Sequence, residues 1–155
     1  MGRRFVAALM LVFATAAAAA QDYSSPRTAL KTLVDAYTAK DLDAAMAAKD
    51  FRYEAEDMLA ALAHKNGSEP QPDEELTTKL EEVLRLSFRQ QMLEQGFPDF
   101  SQYHCAIAEE TAVSDHLVKL IEECVRKADG DRTQQTLHAF KRANEWKIVT
   151  IVGSY

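Results

Sequence analysis

Four histidines, two cysteines and two glutamate doublets are where chemistry could start in this chain: His64, His104, His116 and His138, Cys105 and Cys124, Glu109-Glu110 and Glu122-Glu123. An imidazole titrates near neutrality and needs little tuning to serve as a general base. His138 and His104 are the candidates for that role, with Glu109 as a candidate carboxylate. The doublets suggest paired acids, but neighbouring residues on a strand point to opposite faces, so each doublet is divided between inside and outside. The histidines have no short metal spacing, and neither an H-E-x-x-H nor a close Cys/His cluster is present, so no metal is expected. No cofactor is expected either, because a G-x-S-x-G, a glycine-rich phosphate loop and a nucleotide fingerprint are all lacking.

The compartment decides what the cysteines do. The chain opens MGRRFVAALMLVFATAAAAAQD, with two arginines, an apolar run from Phe5 to Phe13, and an alanine tract that offers Ala18 and Ala20 as the small residues of a cleavage site. This predicts a secretory signal peptide over residues 1–20, cut near Ala20-Gln21, and a protein that is periplasmic or secreted. The apolar part is shorter than the roughly 20 residues of a membrane span, so no stable membrane insertion is expected after cleavage. Losing Arg3 and Arg4 leaves 16 Lys plus Arg against 24 Asp plus Glu, a net of −8. That sign repels phosphate backbones, which argues against nucleic acid as a partner.

The elements that must position these residues fall into two halves. Ser24-Ser25-Pro26 starts a helix, and Ala29, Leu30, Leu33, Val34 and Tyr37 recur on one face of it. Asp41 opens a short helix through Met46. Phe51, Ala55, Met58, Leu59 and Leu62 keep the helical period until Asn66-Gly67, and a linker with two prolines ends at Pro72. From Asp73 a long helix carries Leu76, Leu80, Val83, Leu84, Ser87 and Gln91 as one stripe, widened by Phe88 and Met92, and stops at Gly96 and Pro98. After Phe100 the residues turn β-branched and aromatic. Strands are expected around Tyr103 to Glu109, Leu117 to Val125, Thr133 to Arg142 and Trp146 to Val152.

Turn chemistry sets the register. Asp129-Gly130 reads as a two-residue hairpin turn. With Asn144-Glu145 as the last loop, His138 and Phe140 alternate against Val149 and Ile151. If the first hairpin turns at Ser114-Asp115, Cys105 falls directly opposite Cys124. A disulfide there would close a loop of roughly 20 residues, worth about 3 kcal/mol. The alternative is two buried free thiols. The order of elements gives an α+β domain, N-terminal helices packed on an antiparallel four-stranded meander.

Three stretches carry a family resemblance: Pro26-Arg27-Thr28-Ala29-Leu30 at the head of an amphipathic helix, AYTAKDLDAAMA from Ala36 to Ala47, and Asn144-Glu145-Trp146-Lys147-Ile148-Val149 near the end. In these the chain resembles the cystatin-like, nuclear transport factor 2-like superfamily, especially its exported bacterial members, over residues 21–155 as a single domain. The resemblance implies a strongly curved sheet whose concave face is closed by helices, leaving a cone-shaped cavity. It implies no single activity, since isomerases, dehydratases, cyclases and transport factors share the fold. In isomerase-like members, acids and tyrosines inside the cone act, but no such motif carries over to positions of this chain. Phe51 to Gly67 is longer and more helical than the family's usual connection.

Tyrosines suit a pocket because an apolar ring carries a polar tip. Tyr37, Tyr53 and Phe140 are the ligand-binding candidates. Three functions remain open. The chain is an exported non-catalytic binding or interaction module, holding a small apolar ligand in the cone or a protein partner on the sheet. Alternatively it is a small isomerase- or dehydratase-like enzyme acting on an apolar molecule, or a structural domain that homodimerises through its sheet. A polar, convergent cavity would favour the enzyme, and an exposed apolar row would favour association.

Overall fold

The computed structural model describes residues 21–71 and 73–152. The expected signal peptide, Pro72 of the linker and residues 153–155 lie outside the described residues.

Each helix begins where a side chain can take up its free N–H groups. Ser25, in extended conformation, caps α1 (Pro26–Ala39): its hydroxyl accepts the Thr28 N–H, and the Thr28 hydroxyl accepts the Ser25 N–H. This is a reciprocal capping box, with Pro26 in the position whose N–H would go unused. Asp41, Asp50 and Asp73 cap α2 (Leu42–Ala47), α3 (Phe51–Lys65) and α4 (Glu74–Gln95) through their carboxylates. Gly96 ends α4 at φ 85°, a conformation that costs a residue with a side chain more than it costs glycine.

The strands β1 (Tyr103–Ser114), β2 (Leu117–Arg126), β3 (Arg132–Arg142) and β4 (Glu145–Val149) form one antiparallel sheet in chain order. Ala29, Leu30, Leu33 and Ala36 of α1 are buried against Val118, Leu120, Ala139 and Ile148 of the sheet, with Ala45 and Ala48 closing the same cluster. Alanine at the helix positions lets α1 approach the sheet closely. Leu120 is fully buried at the centre of that cluster, and its burial contributes about 2 kcal/mol. The molecule is thus α+β, with helices covering a meander, as the element order implied.

The hairpins differ from their expected forms. Ser114 pairs with Leu117, so the first turn is Asp115-His116, one residue later than expected. Register shifts at Ile107/Glu109 and Ala112/Ser114 then leave Ala108 and Val113 without direct partners, and the displacement is undone before Cys105 meets Cys124. Such bulges bend and twist a strand, which curves this edge of the sheet. Asp129-Gly130 is part of a longer connection between Arg126 and Arg132 rather than a two-residue turn, because Arg126 Nε and the Asp131 N–H both bind the Asp129 carboxylate and draw the loop around it. The last turn is Ala143-Asn144, at φ 48° and 69°. Hence His138 pairs with Val149 and Phe140 with Lys147, a two-residue correction that leaves each side chain on its expected face.

The last strand stops at Val149 instead of Val152. Beyond it the backbone bonds to a helix: the Thr150 N–H donates to Glu54 and the Val152 N–H to Asp57, both at 2.7 Å. Two carboxylates of α3 therefore stand in for a neighbouring strand and protect the edge. The expected stripe on α4 also divides. Thr77 and Met92 are buried and Leu80, Leu84 and Phe88 half-buried on one side, while Leu76, Val83, Leu86 and Leu93 are exposed.

Candidate functional site

Under α1 the sheet holds a small pocket of about 290 Å³, bounded by Leu30 and Val34 of the helix and Tyr103, Ile107 and Glu122 of β1 and β2. Cys105 lines it and forms a disulfide with Cys124, their Cα atoms 4.0 Å apart. Glu122 is 5% exposed; it accepts a hydrogen bond from Gln135 and lies 3.8 Å from the Cys124 sulfur. Cys105, Glu122 and Cys124 hold their ligand-type atoms within 4.8 Å of one another. Both sulfurs are committed to the bridge, so the group offers one carboxylate and no thiolate. The doublets divide as alternation requires: Glu110 reaches Arg27 of α1 at 2.7 Å, whereas Glu109 bonds Thr111 and Glu123 bonds Arg132.

The residues singled out for acid-base work do not converge. His138 points away from the α1 core, since its neighbours Leu137 and Ala139 belong to it. Burial pushes its pKa below the usual value, and Lys119, its cross-strand neighbour, pushes the same way against the pull of Asp57. His104 is exposed opposite Val125, and β2 separates Glu109 from His138. Glu109 and His138 are therefore two strand spacings and two residues apart, roughly 12 Å between backbones.

The aromatic candidates are packed into other contacts. Tyr37 lies against Phe97 and Phe100, each with ring centroids 6.3 Å away. Its hydroxyl is pushed up to about 12 by burial and by Glu54, so it stays protonated at neutral pH. Tyr53 stacks on Phe140 at 4.0 Å, and the Arg142 guanidinium lies 5.3 Å from the Phe140 ring. That stack ties α3 to the end of β3.

The larger opening lies elsewhere, between α3 and α4. It is an open groove of about 1080 Å³, floored by Met58, Leu59 and Leu62 of α3 and by Leu76, Leu80 and Val83 of α4, with Val152 at one end. His64, Lys65, Lys79 and the carboxylate of Asp57 stand around it, and Lys79 is paired with Glu75 at 2.6 Å, so the rim is of mixed charge. Leu62, Leu76 and Val83 are 55%, 47% and 58% exposed, and the apolar surface continues along α4 through Leu86 and Leu93, each 66% exposed. The α4 sequence reads as one apolar stripe, and the structure shows two. The signal for two was present in the seven-residue steps from Leu76 to Val83 and from Leu86 to Leu93.

An α+β domain whose helices cover a four-stranded meander defines a class of fold, and no reaction with it. The chain is similar to the crystal structure at 1.70 Å of an NTF-2-like protein of unknown function from Shewanella oneidensis MR-1, at 16% identity and a TM-score of 0.42, covering 79% of this chain and 89% of that one. No protein-family model and no curated protein matches the chain.

Proposed function

We propose that this chain is an exported, non-catalytic binding module that works through the groove between α3 and α4. The observation that carries the reading is the exposure of Leu62, Leu76 and Val83 around one concave apolar surface. Leaving such side chains in water forgoes about 25 cal/mol for each Å² that a guest could cover. Export is supported by the signal-like first residues and by a disulfide of the kind that persists outside the reducing cytosol. Among the described residues, no helix is long and apolar enough to cross a membrane.

The reading is tested with anilinonaphthalene sulfonate, a dye whose apolar body suits an apolar groove. Dilute folded protein should enhance its fluorescence, and Leu62→Glu should abolish most of the gain. Equal enhancement by the two proteins, or none by either, would overturn the groove as a binding site.

A further inference from the structure

The exposed stripe of α4 has a symmetry of its own. The helix runs from Glu74 to Gln95, so its midpoint falls between Leu84 and Arg85. Leu76 and Leu93 are equally distant from that point, and so are Val83 and Leu86. Turned end for end about the midpoint, the stripe maps onto itself. Two such helices packed antiparallel would set Leu76 against the partner's Leu93 and Val83 against the partner's Leu86, and the same contacts would recur by symmetry. In heptad terms, Leu76, Val83 and Gln90 occupy one seam position and Lys79, Leu86 and Leu93 the other, and all six are exposed. Their side faces away from Thr77, Leu84, Phe88 and Met92, which the fold uses.

The flanking charges fit the same register. Glu82 and Arg89 stand beside the seam, one turn of the heptad apart, and in an antiparallel pair each lies next to the other's counterpart. Their neighbours Glu81 and Arg85 are bonded to each other, at 3.0 Å, but among the described residues Glu82 and Arg89 have no ion-pair partner within the chain. A helix of 22 residues offers a seam about 33 Å long. On one side of it lies the groove, so the partner's Leu93 arrives near Leu76 and Leu62.

We infer that the groove's guest is helix α4 of a second copy of this chain, giving an isologous dimer about a two-fold axis through the α4 midpoint. This rests on the groove reading above and supplies its partner. The contact uses the helices, and leaves the sheet surface out.

Light scattering coupled to size exclusion tests it on the mature, oxidised protein. The wild type should show doubled mass at tens of micromolar. Leu86→Glu should be monomeric, with dissociation raised about a hundredfold or more because the changed side chain enters the contact twice. Leu86 is exposed and lies outside the groove lining, so this variant stays folded and still binds the dye. Glu82→Arg should weaken the dimer about tenfold by facing Arg89 of the partner, and adding Arg89→Glu should restore it. A wild type that is monomeric throughout but binds dye in a Leu62-dependent way would overturn the dimer and leave the groove standing. A dimer indifferent to Leu86→Glu and to the charge exchange would overturn it too, and a monomer without dye binding would remove both readings.

Discussion

Lys49 and Glu54 meet at 2.7 Å, with less than a tenth of either side chain exposed. The ammonium also lies 5.6 Å from the Phe51 and Phe88 rings, and the Glu54 carboxylate receives the Thr150 N–H. Removing one member strands the other's charge in a poorly solvated place. Glu54→Ala should therefore cost about 3–5 kcal/mol, read as a lower urea midpoint. Glu54→Gln keeps an acceptor for Thr150 and should cost less. His138 contributes a pH dependence of definite sign. Its native pKa lies below the unfolded value, chiefly through burial, with Lys119 reinforcing it and Asp57 opposing. As pH falls through the unfolded histidine range, the unfolded chain takes up a proton that the native state resists. Stability should drop as pH falls through the unfolded histidine range and level off once pH lies below the native pKa. His138→Gln should flatten that part of the urea-midpoint profile, and an unchanged slope would assign the effect to other groups. Residue-level signals were legible where their chemistry is local. Ser25 and Asp41 announce helix starts by type, whereas Ala143 adopts a left-handed conformation that nothing about alanine announces.

Among the elements, the β1–β2 hairpin joins covalent and hydrogen-bonded constraints. Cys105 and Cys124 are 19 residues apart in sequence and directly paired in the ladder. By the chain-entropy argument, replacing both with alanine should lower stability by about 3 kcal/mol, with the loss appearing in denaturant titrations of the oxidised wild type against the double variant. The bridge should also limit the effect of disrupting the Asp115-His116 turn, because it fixes the register from the far end. This pairing was legible in the sequence although the turn was misplaced by one residue. Bulges at Ala108 and Val113 absorb the difference, and bulges answer to the curvature the helices demand, which no local pattern encodes. In α4 the period was legible and the covered face was not. Leucines at 76, 80, 84, 86 and 93 fit more than one stripe, and only the placement of α3 and α2 against α4 decides that Leu84 is half-covered while Leu86 stays in water. For the same reason the candidate site moved from Tyr37 and Phe140, both occupied in aromatic contacts, to the α3–α4 groove.

For the molecule as a whole, a helix pair coupled to the fold makes stability depend on concentration. The dimer exists only between folded chains, because the seam needs α4 formed and held with Leu76, Val83, Leu86 and Leu93 on one side. Mass action then stabilises the native state as the protein is concentrated. For a dimer that unfolds to two chains, each tenfold rise adds about 0.7 kcal/mol per chain, half of the usual factor-of-ten interval. In a domain of this size that corresponds to about 2 °C in the thermal midpoint. Calorimetry from about 5 to 500 μM should therefore show the wild type rising by about 4 °C and Leu86→Glu holding constant. The disulfide does not alter this expectation, since it acts within one chain and independently of concentration. The dye should follow the opposite course, its fluorescence per chain falling as the wild type is concentrated and the partner's helix takes the groove, and remaining level for Leu86→Glu. A midpoint independent of concentration in the wild type, together with constant dye binding, would mean that the α4 stripe stays in water.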